Sequence, residues 1–230
     1  MKIIAVIPAR AGSKRLPGKN VKMLGEHPLI AWTIRAALQS SGVSDVVVTT
    51  DDPQAAEIAQ RYGATVPGMR PGHLSTDTAT SVDVVRYVVD QYEASNGPVQ
   101  GVLLLQPTSP FRTVESIDKA IELFAASPVR PIVSVSPASA HPAWCFKVEA
   151  GSMQPFMGWE QVARRSQDLE PAYTLNGAIY LIAPDVLRRH DGFVFEGAVP
   201  LVMDQSEESL DIDTVDDWNE AQRVLESLKR

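Results

Sequence analysis

Ile7 to Asn20 (IPARAGSKRLPGKN) carries four cations, Arg10, Lys14, Arg15 and Lys19, on a stretch punctuated by Gly12, Pro17 and Gly18. The combination suits an anion. Gly12 lets backbone N–H groups approach phosphate oxygens, Pro17 and Gly18 turn and stiffen the loop, and Arg10 and Lys19 supply two separated charges. Lys14 and Arg15 read as solvated. Neither familiar phosphate fingerprint is met. Walker A needs four residues between its glycines and Ser or Thr after the lysine, whereas GSKRLPGKN has five and then Asn20, and G-x-G-x-x-G is absent. For this loop taken alone, a basic surface loop with structural glycines is the alternative.

A second constellation lies far along the chain. In the strand-like LDID, Asp211 and Asp213 alternate, so their side chains project to one face and can share a hard cation such as magnesium. The alternative for Asp213 is capping of the last helix together with Thr214. The four histidines have no metal-ligand spacing, and no Ser/His/Asp order suggests a hydrolase. His141, before Pro142, reads as structural.

Composition narrows the ligand. A net charge of -7 opposes nucleic-acid or anionic-membrane partners, so clustered cations mark a local anion site for a small phosphorylated ligand. The single cysteine, Cys145, forms no intramolecular disulfide or multi-thiolate cage and reads as packing. The apolar run of MKIIAVIPA is too short for a signal-peptide core and no stretch reaches membrane-spanning length, which predicts a cytoplasmic protein.

The elements that must position these residues follow from periodicity. Buried-strand runs (KIIAVI, DVVVTT, GVLLLQ, PIVSVS, NGAIYLIAP, PLVMD) alternate with helical segments, predicting an α/β fold with a mostly parallel, Rossmann-like sheet and helices on both faces. In PLIAWTIRAALQSSG, Leu29, Ile30, Thr33, Ile34, Ala37 and Leu38 share a face, and Gly42 suits a left-handed terminator. Pro53 starts the next helix, and helices also cover SVDVVRYVVDQYEA and VESIDKAIELFAAS. A final helix from Val215 carries Trp218, Ala221, Val224, Leu225 and Leu228 inward. Residues 1–230 read as one domain, interrupted from Pro137 to Thr174 by a proline- and tryptophan-bearing arm without clean period.

The loop with the following PLIAWTI resembles the signature of the acylneuraminate cytidylyltransferases, the CMP-sialic acid synthetases, including those for legionaminate and pseudaminate. The resemblance continues through VTTDD, RPGHLSTDTATS, LLQPTSPFR, NGAIYL and SLDIDT, over almost the whole chain. It implies a nucleotide-diphospho-sugar transferase fold and transfer of CMP from CTP to the anomeric hydroxyl of a nonulosonic acid, with Mg²⁺ or Mn²⁺ and release of pyrophosphate. By position, Arg10 and Lys19 resemble the triphosphate ligands, Lys19 lying nearest the α-phosphate, and with Asp211 they resemble the catalytic residues, while Ala11, Gly12 and Ser13 resemble further nucleotide-binding positions. Asn20 resembles the nucleoside contact, and Arg70, Ala79, Thr80 and Ser81 the cytosine surround. A surface salt bridge is the alternative for Arg70.

Gln106, at the carboxyl end of its strand, resembles the acceptor-sugar residue. Thr108 and Ser109 join it or cap the following helix, a role that suits one of them. Asn176 and Tyr180 match further sugar-side positions, and Asp211 and Asp213 the metal pair. The resemblance also implies a homodimer built through the arm.

The chain departs from the family pattern where some members carry a Lys after HP and an Arg before NG for the sugar carboxylate. Trp144 and Thr174 stand there. Arg164 and Arg165 can supply the missing cation within one chain or across a dimer, and Phe193, on a glycine-flanked turn, can floor an acyl pocket or simply pack. Legionaminate or pseudaminate is therefore a rival to N-acetylneuraminate as acceptor. The more distant readings are a ketodeoxyoctulosonate cytidylyltransferase and a catalytically silent nucleotide-binding protein. No general base is identified.

Overall fold

A computed structural model of the chain describes residues 1–228. Every residue of β1 (Ile3–Ala9) is apolar and all but Pro8 are buried, the pattern of a strand covered on both faces. The short strands β2 (Met23–Leu24) and β3 (His27–Pro28) lead into α1 (Leu29–Gln39). β4 (Asp45–Thr50), α2 (Pro53–Arg61), α3 (Ser81–Asn96), β5 (Gly101–Leu105), α4 (Val114–Ala126) and β6 (Ile132–Pro137) continue the alternation. The hairpin β7 (Phe146–Glu149) and β8 (Ser152–Pro155) and the one-turn helix α5 (Trp159–Val162) follow. β9 (Tyr173–Ile182), α6 (Pro184–Arg189), β10 (Val199–Val202) and α7 (Val215–Leu228) complete the described chain.

The central sheet has the order β10-β6-β9-β5-β1-β4. β4 and β5 flank β1 in parallel and β10 is parallel to β6, whereas β9 runs antiparallel to both β5 and β6. The expected Rossmann-like sheet with helices on both faces is therefore present. Alternate residues of β1 feed two cores: Ile3, Ala5 and Ile7 join Ile34, Ile58 and Phe124 on one face, while Ile4 and Val6 join Val85, Val89 and Leu187 on the other. A third cluster packs Leu16 from the basic loop against Ile212, Trp218, Ala221 and Leu225. Burial of Ile212 fixes the chain on which Asp211 and Asp213 stand.

Several local expectations are corrected. Leu38 and Leu228 are exposed rather than inward, lying at the rims of their helices' apolar stripes. Helix α1 ends at Gln39 with an extended Ser40, and Gly42 has no left-handed backbone. Gly42 serves close approach instead, since a Cβ there would sit 2.8 Å from Ile121 Cδ1. Asp211 and Asp213 lie outside any strand, in an extended segment tied down by Ile212 N donating to Thr108 O at 2.8 Å. The arm is more regular than expected, containing the hairpin and α5, and Tyr173 and Thr174 already belong to β9.

Candidate active site

The basic loop leaves β1 at its carboxyl end, where open α/β sheets bind ligands. Gly18, left-handed at φ 67°, turns the chain into a 3₁₀ turn over Lys19–Val21. Buried Asn20 spans the loop by donating from Nδ2 to Arg10 O at 3.1 Å, and Ala11 N donates to Asp51 Oδ1 at 2.9 Å. A Cβ at Gly12 would meet nothing within 4 Å, so that glycine leaves an open approach to the backbone.

All four cations are ion-paired. Arg10 and Lys14 reach Asp77, Arg15 reaches Asp213 at 3.1 Å, and Lys19 Nζ reaches Asp213 Oδ1 at 2.8 Å and Ile212 O at 2.9 Å. Two carboxylates against four cations leave the loop with excess positive charge, as a polyphosphate site needs. The cations are not equivalent: the Lys19 side chain is 12% exposed and that of Lys14 77%. Lys14 and Arg15 are thus exposed, as expected, but each has a partner.

Arg70 is buried rather than a surface ion pair. Its Nε donates to Ser75 Oγ at 3.2 Å and its Nη2 to Asp51 Oδ1 at 3.4 Å. Burial pulls its pKa down, with Asp51 opposing. The same Asp51 holds Ala11 N, so one carboxylate links the basic loop to the 70–81 segment. Thr80 caps α3, its Oγ1 accepting from Asp83 N at 3.1 Å. Arg10, Lys19, Asn20, Arg70, Ala79, Thr80, Ser81, Gln106, Thr108, Asp211 and Asp213 line one cavity of about 340 Å³. Arg10, Ser13, Lys19 and Asn20 also line an adjoining basic recess.

Beyond it lies a second cavity of about 430 Å³ lined by Ser136, Ser139, Thr174, Asn176, Gly177, Tyr180, Ser209 and Asp211. Asn176 lines this wall with its amide already engaged. Oδ1 accepts from Ser134 Oγ at 2.5 Å and Ala178 N at 3.1 Å, while Nδ2 donates to Ser136 Oγ at 2.8 Å. Its amide therefore holds the wall where β9 and β6 shift register between Val133 and Val135. Burial pushes the Tyr180 hydroxyl up, and the Asp211 charge adds to this.

The structure decides several of the alternatives. Neither Thr108 nor Ser109 caps α4, because Thr113 does, accepting from Ser116 N at 3.1 Å with Glu208 bracing it. Phe193 is buried in the α3-side core against Tyr180, ring centroids 5.4 Å apart, and lines neither cavity. Arg165 stays in the arm, exposed and paired with Asp168 at 2.9 Å, so within one chain it does not join the site. Asp213 does not cap α7 either, since Thr214 Oγ1 accepts from Asp217 N at 3.2 Å.

Asp211 lines both cavities and makes no ion pair among the described residues. Its pKa is raised, first by burial and then by Asp213 and Asp217, with Thr108 and Lys19 opposing. The Thr108 hydroxyl is near enough to act on that carboxylate yet makes no well-formed hydrogen bond, and Ser109 Oγ is likewise buried without a partner. Among the described residues no three His, Cys, Asp or Glu side chains group as a metal cluster. Asp51 and Asp77 were not singled out as site residues, although both stand inside motifs quoted for the resemblance, VTTDD and STDTATS. Arg112 was missed as well.

A basic loop at the carboxyl end of β1, an adjacent buried arginine and a carboxylate between two cavities define a nucleotidyltransferase. The chain belongs to the cytidylyltransferase family, whose sequence model matches residues 4–150. It is 43% identical to the CMP-N,N'-diacetyllegionaminic acid synthase of Legionella pneumophila over 98% of this chain and 97% of that one. It is 38% identical to an N-acylneuraminate cytidylyltransferase of Streptococcus agalactiae over 95% of its length, but spans only 52% of that longer protein. A pseudaminic acid cytidylyltransferase of Campylobacter jejuni is 30% identical over 94% of this chain and 93% of that one. In fold, it superposes on a CTP complex of CMP:2-keto-3-deoxy-manno-octonic acid synthetase with a TM-score of 0.73 at 19% identity, covering 99% of this chain and all of that one.

Proposed function

We propose that the protein transfers CMP from CTP to the anomeric hydroxyl of a nonulosonic acid and releases pyrophosphate. The observation that carries this reading is that Asp211 lines both cavities, so one carboxylate adjoins a triphosphate-sized basic site and an uncharged, hydroxyl-rich site at once. The acceptor oxygen bonds to the α-phosphorus as the bond to the β-phosphate oxygen breaks. Such a displacement depends on alignment and charge neutralisation. Arg10 and Lys19 hold the triphosphate, exchanging their aspartate partners for phosphate oxygens, and Lys19 gains most as charge moves to the leaving pyrophosphate. Arg70, Ala79, Thr80 and Ser81 surround the cytosine.

Mg²⁺ or Mn²⁺ fits the donor set. Asp211 offers a carboxylate outside any ion pair and the orphaned Thr108 hydroxyl lies beside it, whereas Asp213 is engaged by Lys19 and Arg15. When bound, the ion would neutralise developing phosphoryl charge. Asp211 would be its principal ligand in this reading and Asp213 the secondary one.

For the acceptor we favour a diacetylated legionaminate, on the 43% identity to the Legionella enzyme over nearly the full length of both chains. The second reading is N-acetylneuraminate, on the 38% match. Either carboxylate needs a cation, and among the described residues no Lys or Arg lines the second cavity. Arg164 or Arg165 from a second copy would supply it. Val148, Met153, Phe156 and Trp159 leave an exposed apolar surface on the arm, which supports a homodimer formed there. No helix among the described residues is long and apolar enough to cross a membrane. A cytoplasmic setting, where CTP is made, suits the reaction.

The test is pyrophosphate release with CTP, ATP, GTP or UTP against a panel of nonulosonic acids. The expected result is turnover with CTP alone and fastest with the legionaminate. Equal turnover with a purine triphosphate, or none with any acceptor, would contradict the reading.

A further inference from the structure

Arg112 is buried and, among the described residues, has no carboxylate within ion-pairing distance. Glu208 acts on it only through its charge, its Oε1 being taken by Thr113 N, Thr113 Oγ1 and Ser116 Oγ. Taking a guanidinium out of water is costly, and a well-packed apolar side chain would fill the same space more cheaply. The fork is used for something else. Nε donates to Ala178 O at 2.7 Å, Nη2 to Gln106 O at 2.8 Å and Nη1 to Thr33 Oγ1 at 3.2 Å.

Those two carbonyls share a register position. β5 and β9 pair as Leu103 with Leu181, Leu104 with Tyr180 and Leu105 with Ile179, so the next antiparallel pair would be Gln106 with Ala178. The ladder stops one step short, and the guanidinium bridges the main chains where it stops. Beyond this bridge the walls of the two cavities meet. Gln106 lines the nucleotide cavity and Gly177 the acceptor cavity. A Cβ built on Gly177 would sit 3.5 Å from Gln106 Oε1. Gly177 is left-handed at φ 75°, and Asn176 braces Ala178 from the other side.

We propose that Arg112 is a positioning residue, a guanidinium wedge that holds open the end of the β5/β9 pair and so sets the spacing between the nucleotide and acceptor cavities. The inference rests on the two-substrate reading given above. Lysine keeps the charge but cannot span both carbonyls with a planar fork. Displacing reacting groups by about 1 Å costs on the order of a hundredfold in rate without comparable loss of binding.

The experiment measures kcat, the CTP dissociation constant and Tm for the parent, Arg112→Lys and Arg112→Gly, the last with and without low millimolar guanidinium. The expected result for Arg112→Lys is a folded protein whose kcat falls by about tenfold to a hundredfold, with CTP affinity within about threefold of the parent, a margin of under 1 kcal/mol. Guanidinium should restore part of the Arg112→Gly rate. An unchanged kcat in folded Arg112→Lys would overturn the wedge, as would CTP affinity falling in step with kcat. Unfolding of Arg112→Lys would also overturn it, leaving Arg112 a fold-stabilising residue only. If the parent turns over no nonulosonic acid, it is the two-substrate reading that fails.

Discussion

The two halves of the site are built from different materials. On the nucleotide side, Arg10, Lys14, Arg15, Lys19 and Arg70 are each matched with Asp51, Asp77 or Asp213, forming a charged cradle complete within one chain. On the acceptor side, Ser136, Ser139, Thr174, Asn176, Tyr180 and Ser209 present amides and hydroxyls, and Asp211 is the one charge among them. The difference teaches that most of the cations come from one contiguous loop, Arg70 apart, and that each has a carboxylate it can exchange for another anion. The hydroxyl-rich wall is assembled from distant segments, and among the described residues no cation lines it.

The largest effect that would sharpen this contrast is at its boundary. Asp211→Ala should remove metal-dependent turnover, a loss of roughly a thousandfold or more for several kcal/mol of transition-state charge stabilisation. Because Asp211 is a desolvated charge, the variant should melt at or above the parent's Tm. Retained turnover or a clear drop in Tm would break the assignment.

On the acceptor side, Asn176→Ala leaves Ser136 and Ala178 N without their partner. We expect a loss of about 2 kcal/mol in stability and an acceptor KM raised about tenfold, with the CTP KM unchanged. A raised CTP KM would blur the two halves. In the arm, Phe156→Ser with Trp159→Ser should give a monomer by light scattering that still binds CTP but has lost acceptor turnover. A fully active monomer would show the acceptor half to be complete in one chain.

The smallest effect lies at the opposite end of the sheet and serves as a control. Burial first, and the hydrogen bond to Asp45 next, push the Tyr92 hydroxyl up to about 12. An unfolded tyrosine ionises near pH 10, so this bond stabilises the fold fully below about pH 10 and the stabilisation is lost as pH rises toward 12. Solvent screening keeps the effect small. Tyr92→Phe should flatten that part of the alkaline denaturation curve and leave kcat unchanged at neutral pH.

The place of the basic loop at the carboxyl end of β1 was legible because charge, glycine spacing and strand position coincide within Ile7–Asn20. The alternation of strands and helices was legible for the same local reason. The direction of β9 was not, since a buried apolar run reads alike whether it runs parallel or antiparallel to its neighbours. The roles of Arg112 and Asn176 were hidden because their partners, Thr33, Ala178, Ser134 and Ser136, are distant in sequence. Phe193 on its glycine-flanked turn left a pocket floor and plain packing equally open, and packing in the α3-side core is what the fold shows.

The central claim is that the opening loop is a triphosphate cradle with Lys19 at its working end. Steady-state pyrophosphate release by Lys19→Ala, at saturating CTP, acceptor and Mg²⁺, tests it most directly, with Lys119→Ala on the exposed face of α4 as the control. The account predicts a kcat loss of about a hundredfold to a thousandfold, roughly 2.7–4 kcal/mol, with the acceptor KM little changed. Parent-like kcat in Lys19→Ala would contradict it.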